Sequence, residues 1–208
     1  MRSILNRFAV AVAGILALGS ESQAATTVYT SQAAFTAALT GASFTNTFAT
    51  AAAASPSSAF SGNGFGYTVT SPVGNVYRPG TFIGAFTATN SVVFTLNVGN
   101  INAIGGNFFQ TNATDAFLPG VAVTINLSDG TTDTFTPVTT TDFRGYISTT
   151  TLTSLTMLPT ANTPAAFASI DNLVVSNVAT VTVPESGTLA LILPAIAGLG
   201  VVVLRRRK

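Results

Sequence analysis

Val121-Ala-Val-Thr-Ile-Asn-Leu-Ser-Asp-Gly-Thr-Thr-Asp-Thr-Phe-Thr-Pro-Val138 decides the fold of this chain. Val121, Val123, Ile125 and Leu127 fall on every second position, which places them on one face of an extended strand. Asp129-Gly130 supplies the turn, because glycine accepts the positive φ of a tight hairpin. Thr132 to Val138 then returns as the partner strand, with Asp133 expected to face solvent. An antiparallel hairpin with one apolar face must pack that face on a second layer, so the unit to look for is a sheet on a sheet.

Outward from this hairpin the same period recurs. Phe65, Tyr67 and Val69 mark one strand, and Val92, Phe94, Leu96 and Val98 mark another. Ile101 to Phe109 continues the pattern, with Gly105-Gly106 expected to form a bulge. Phe143 to Ile147, Thr153 to Leu158 and Ala166 to Asn177 complete nine or ten strands, while Phe44 and Phe48 flank the first. One short helix is expected near the start: Ser31 caps it, Phe35, Ala38 and Leu39 share a face, and Gly41 ends it. Ala49 to Ser58 reads as a mobile loop, with a brief helix over Ala51 to Ala54 as the alternative. The expected fold class is all-β: an antiparallel β-sandwich of jelly-roll type with one short N-terminal helix.

The two ends differ from this body. Arg2 and Arg7 precede an apolar run from Phe8 to Gly19, and Ser22-Gln23-Ala24 puts small residues where a signal peptidase cuts, so residues 1–24 read as a signal peptide cleaved between Ala24 and Ala25. No Arg-Arg pair precedes the apolar run and no cysteine follows it, so the general secretory translocon is the expected route. At the other end stands Val183-Pro-Glu-Ser-Gly-Thr-Leu-Ala-Leu-Ile-Leu-Pro-Ala-Ile-Ala-Gly-Leu-Gly-Val-Val-Val-Leu-Arg-Arg-Arg-Lys208. Thr188 to Leu204 carries no charge and as a helix would cover about 25 Å, near the lower limit for a bilayer core. Arg205, Arg206, Arg207 and Lys208 follow it as a cytoplasmic basic anchor, which leaves the body outside the cytoplasm. The expected organisation is therefore a signal peptide (1–24), a sandwich domain (25–182, its last residues Val178 to Thr182 a linker) and a tail (183–208) with a C-terminal transmembrane helix over 188–204.

Val183-Pro184-Glu185-Ser186, an apolar span and a terminal Arg-rich cluster together resemble the PEP-CTERM sorting signal of Gram-negative, polysaccharide-producing bacteria. Ser186 stands where that family's motif usually has a second proline. The resemblance implies recognition by exosortase, an inner-membrane transpeptidase-like enzyme, and removal of the tail at the motif. Pro184 holds φ near −65° and lacks a donor, which keeps the residues before the span extended and suits a peptidase cleft. The body, through Phe35, Phe44, Leu127-Ser-Asp-Gly130, Phe143-Arg-Gly-Tyr146 and Ile170-Asp-Asn-Leu173, is similar to a recurrent secreted jelly-roll type. That likeness extends to fold rather than to activity.

Composition narrows the function classes. The chain carries eight basic and seven acidic residues for a net charge of +1. Six of the basic residues lie in the two terminal segments, so the body keeps Arg78 and Arg144 against five aspartates and is weakly acidic. Such a body offers no footprint for nucleic acid. With no histidine and no cysteine, Ser-His-Asp and Cys-His arrangements, thiolate metal sites and disulfides are excluded. Glycoside hydrolysis needs only two carboxyl groups, and Asp129, Asp133, Asp142 and Asp171 are available, but their contexts are those of turns and strands. The chain is not expected to be an enzyme.

Two polar features remain. Asp171-Asn172, inside the apolar stretch Phe167 to Val175, satisfies backbone groups at a strand edge or, as hard oxygen ligands, helps to hold calcium. No other cofactor is expected. Arg144 is expected to pair with Asp142 or Asp171. Tyr77-Arg78, beside Pro79-Gly80, is the best aromatic platform for a sugar, weakened by the absence of tryptophan. The preferred role is an exported surface or extracellular-matrix protein associated with exopolysaccharide. The membrane-anchored precursor would be processed by signal peptidase and an exosortase-like enzyme at the inner membrane. A glycan- or calcium-binding adhesive module is the alternative, and a glycoside hydrolase ranks last.

Overall fold

A computed structural model describes residues 24–159 and 166–178. The expected signal peptide up to residue 23 and the expected sorting motif, transmembrane span over 188–204 and basic anchor lie outside the described residues. Among the described residues no helix is long and apolar enough to cross a membrane. The described residues are all-β in character, with fourteen strands and one short helix among them, α1 (Gln32–Ala38).

The strands form two antiparallel sheets that enclose one apolar interior. The first contains β1 (Thr26–Tyr29), β2 (Ser43–Asn46), β3 (Ala52–Ser55), β6 (Val76–Arg78), β7 (Ile83–Ala85), β9 (Ala103–Thr111), β12 (Phe143–Ser148) and β14 (Phe167–Ser176). Its order is β1-β12-β9-β14-β7-β6-β3, with β2 pairing the second half of β14. The second contains β4 (Ser57–Gly62), β5 (Phe65–Thr70), β8 (Val92–Val98), β10 (Val123–Leu127), β11 (Thr132–Phe135) and β13 (Ser154–Pro159), ordered β11-β10-β13-β8-β5-β4. Val69, Val92, Phe94, Val123, Ile125, Leu155 and Met157 of the second sheet meet Ile83, Ile104, Phe108, Ile170, Leu173 and Val175 of the first in one buried cluster. Val123, Ile125 and Leu127 of that alternation are thus the inner face of β10, which begins after Val121.

Helix α1 packs on the outer face of the first sheet. Ser31 caps it as expected, accepting from the Ala34 N–H. Its one buried residue, Phe35, joins Ala103, Phe143 and Val174 in a second, smaller cluster. The seat for this ring is made by glycine: a Cβ on Gly145 would lie 2.5 Å from Phe35 Cδ2 and 2.8 Å from Phe143 Cε1. The helix is held by ring packing into a notch that side chains would fill.

Four expectations are corrected. Ala49 to Ser58 is not a loop: Ala52–Ser55 is the edge strand β3, paired with β6, and Ser57 opens β4 in the other sheet. Pro56, with no donor to leave unpaired, stands where the chain changes sheets. Phe44 lies inside β2 rather than beside it, while Phe48, two residues past the strand's end, sits at φ 49° with its N–H on Asn46 Oδ1 and is buried against Phe60. The bulge lies not at Gly105-Gly106 but on the neighbouring strand, where the register between β14 and β9 shifts from Asp171↔Asn107 to Val174↔Gly105. Asn172, at φ 50°, absorbs the extra residue. Ile170, Leu173 and Val175 can therefore all reach the main core while Val174 joins the outer cluster. Finally, Asp133 does not face solvent. Opposite the buried Ile125, it points into the gap between the sheets.

Candidate functional site

The carboxylates read from sequence as candidate acids are each held by neighbours, Asp129 and Asp133 on successive donors of β12 and Asp142 and Asp171 elsewhere. Asp129, beyond the end of β10, accepts from Thr26 Oγ1, from Ser148 Oγ at 2.7 Å and from the Thr131 N–H at 2.9 Å. Burial works against its ionisation, but these hydrogen bonds outweigh it and hold the carboxyl below the ordinary range. Asp133 accepts from Tyr146 Oη at 3.0 Å and lies 3.5 Å from Arg144 Nε. Arg144 therefore pairs with Asp133, not with Asp142 or Asp171, and its guanidinium also lies 4.2 Å from the centre of the Phe135 ring. Asp142 closes its own turn: the Val138 N–H and the Thr139 hydroxyl donate to it and lower its pKa.

Asp171 and Asn172 hold each other at the bulge. The Asn172 N–H donates to Asp171 Oδ1 at 2.7 Å and Asn172 Nδ2 donates to Oδ2 at 3.0 Å. Burial raises the Asp171 pKa, and the bond from the Asn172 N–H only partly offsets it. Among the described residues no group of three or more acidic, histidine or cysteine side chains is placed to hold a metal ion.

One end of the sandwich gathers both ends of the domain. The Ala25 N–H donates to Thr149 Oγ1, and the Thr149 N–H donates to the Ala25 carbonyl, each at 3.0 Å. Asn102 clamps Val178 with both ends of its amide: Oδ1 accepts from the Val178 N–H at 2.7 Å, and Nδ2 donates to the Val178 carbonyl at 2.8 Å. Asn100, Asn102, Thr149, Thr150, Thr151, Asn177 and Val178 line a shallow polar depression between them.

The opposite end carries an aromatic cleft of about 320 Å³. β9 and β14 run the full distance between the two ends, pairing Ala103 with Ser176 at one and Thr111 with Phe167 at the other. At the rise of an extended chain, that separation is about 26 Å. The cleft is lined by the polar Thr111, Asn112 and Asp115 and by the rings of Tyr77, Phe82, Phe86 and Phe167. The rings interlock edge to face: Phe86 with Tyr77, Tyr77 with Phe82, Phe82 with Phe109 and Phe109 with Phe117. Phe82 and Phe109 are buried and pin the row, whereas Phe86 is 55% exposed. Tyr77 Oη donates to Asp115 Oδ2 at 3.1 Å, and that bond, ahead of other effects, raises the tyrosine pKa.

Of this cleft the sequence marked Tyr77 alone. Arg78 turns away, its guanidinium 5.2 Å from the centre of the Phe60 ring. Comparison of the chain with known protein families, with curated proteins and with solved structures finds no match.

Proposed function

We propose that this chain is an exported, non-enzymatic surface or matrix protein, sorted through its C-terminal tail and associated with extracellular polysaccharide. The observation that carries the reading is the order of Val183-Pro184-Glu185-Ser186, the uncharged span Thr188 to Leu204 and Arg205 to Lys208, opposite a signal peptide at the other end. Two structural features support it. Ala25, the residue that signal cleavage would leave first, is already paired to Thr149. Val178, the last described residue before the tail, is clamped at the same end of the domain. A tether attached there leaves the far end, with its aromatic cleft, pointing away from the membrane. We read the wiring as jelly-roll-like, because the chain crosses repeatedly between the sheets, at β3–β4, β5–β6, β7–β8, β8–β9, β9–β10, β11–β12, β12–β13 and β13–β14.

A non-catalytic role is supported by the work Asp129, Asp133 and Asp142 do within the fold, each bonded to groups that leave it little freedom as an acid or base. The test is fractionation of producer cells with mass spectrometry of the mature C-terminus. A terminus between Thr182 and Ser186 in the surface or medium fraction is expected. Replacing Pro184 and Glu185 by alanine should leave the full-length chain in the membrane. Unchanged release of that variant overturns the sorting reading.

A further inference from the structure

We propose that the cleft between Phe86, Tyr77 and Asp115 is a carbohydrate-binding site that takes one neutral pyranose ring at the end of the domain farthest from its chain ends. Phe86 is the one aromatic among the large exposed hydrophobic side chains of the described residues. Its ring is not loose, because Tyr77 packs against it at 6.0 Å and is itself held by buried Phe82. A rigid apolar face open to water costs solvation and gains by covering with another flat apolar face. The C–H face of a pyranose is such a surface, and its rim is a ring of hydroxyls.

The polar lining supplies what the rim needs. Asp115 is fixed at φ 62° in a turn whose centre is Asn112: Asn112 Oδ1 accepts from the Thr114 N–H, the Thr114 hydroxyl and the Ala116 N–H. With Oδ1 turned into the loop, Asn112 keeps its two amide hydrogens as donors. Asp115 uses Oδ2 for Tyr77, and Oδ1 has no partner among the described residues. The lining therefore combines a carboxylate acceptor with an amide donor. A sugar hydroxyl, which donates and accepts at once, matches both, whereas an ammonium group can only donate. Among the described residues no cation lines the cleft, so a uronate or other anion would meet Asp115 uncompensated.

The inference rests on the proposed extracellular placement for its biological ligand, but the site is tested without it. The full-length chain is titrated with methyl glycosides of glucose, galactose and mannose, with glucuronate and with tetramethylammonium, and contact is read by saturation-transfer NMR on the ligand protons. At least one neutral glycoside should bind through its ring C–H protons, with glucuronate much weaker. Phe86→Ala, at an exposed position, and Asp115→Asn should each weaken it about tenfold with unchanged melting temperatures. Silence from all three glycosides, binding unaltered in both variants, or tetramethylammonium binding in their place overturns the proposal. Sugar binding by a chain whose tail is never processed keeps the site and removes only the sorting reading.

Discussion

Tyr146 and Asp133 join the two sheets, the tyrosine Oη donating to the aspartate Oδ2 at 3.0 Å between β12 and β11. The pair is the middle step of a ladder. Arg144, Tyr146 and Ser148 alternate along β12 toward the sandwich interior and meet Phe135, Asp133 and Asp129 in turn. A single period of two, shared by strands in different sheets, closes this side of the sandwich with polar contacts where Phe135 ends the apolar core. Tyr146 is fully buried, and that burial, ahead of the nearby Asp133 charge, raises its pKa. The hydroxyl therefore remains a donor throughout the ordinary pH range.

Removing that hydroxyl tests the ladder. Tyr146→Phe keeps the ring and should cost about 1–3 kcal/mol, since Asp133 loses its closest donor. Asp133→Ala should cost a similar amount by leaving Tyr146 Oη buried without an acceptor. Urea melts of both single variants and the double variant should show the double well short of the sum. Strict additivity would mean that the contact carries no energy.

Asp129 sets an acid limit on stability. Its folded pKa is depressed below the ordinary value of 3.8, so the stabilisation it brings is fully present above that value and is lost as pH falls through the folded pKa. Asp171 has the opposite sign: its pKa is raised, so its contribution is full below 3.8 and is lost as pH rises through the folded pKa. Asp129→Asn should flatten the acid limb of a stability–pH profile and lower the plateau, because an amide places N–H groups against the donors of Thr26 and Ser148. Asp171→Asn should raise the plateau instead. Matching profiles for the two variants would contradict the assignment.

The hairpin was legible because every cue in Val121 to Val138 agreed, and α1 was legible from its cap and the single face it buries. Asp133 was misplaced although the signal was present, for it shares the parity of Phe135. What the sequence lacked was the partner, since Tyr146 and Arg144 come from the other sheet. β3 was missed because alanine has little strand preference of its own, and pairing with β6 decides its conformation. The bulge was assigned to Gly105-Gly106 for glycine's freedom, yet those glycines serve close approach: a Cβ on Gly105 would meet Phe143 Cζ at 2.6 Å. The cleft is assembled from Tyr77, the Phe82 to Phe86 segment, the Thr111 to Asp115 turn and Phe167, so no local pattern contains it.

Gly145 controls the seating of α1. Gly145→Ala drives a methyl group into the Phe35 and Phe143 rings, and overpacking of this kind costs about 1–3 kcal/mol. The loss should be concentrated in the helix, because Phe35 is its only buried residue. Hydrogen exchange should then show α1 amides opening faster while those of β10 and β13 change little. Uniform loss of protection across both sheets would show instead that the helix and the core unfold as one unit.

Asn172 makes the sharpest demand on residue type. It must carry one extra residue of β14 at φ 50°, a conformation that asparagine tolerates and β-branched residues resist. Asn172→Val should therefore cost about 1–2 kcal/mol. Asn172→Gly exchanges the strain for the lost bond to Asp171 Oδ2 and should stay within about 1 kcal/mol of the parent. Deleting Asn172 tests the register itself. With the extra residue gone, Leu173 would pair with Gly106 while Val174 kept Gly105, so Leu173 and Val175 would still face the core and Val174 the outer cluster. The deletion chain should therefore keep a cooperative melt and lose about 1–3 kcal/mol, the cost of leaving Asp171 without its two bonds from Asn172. Loss of the cooperative melt would show that the bulge does more than take up one residue.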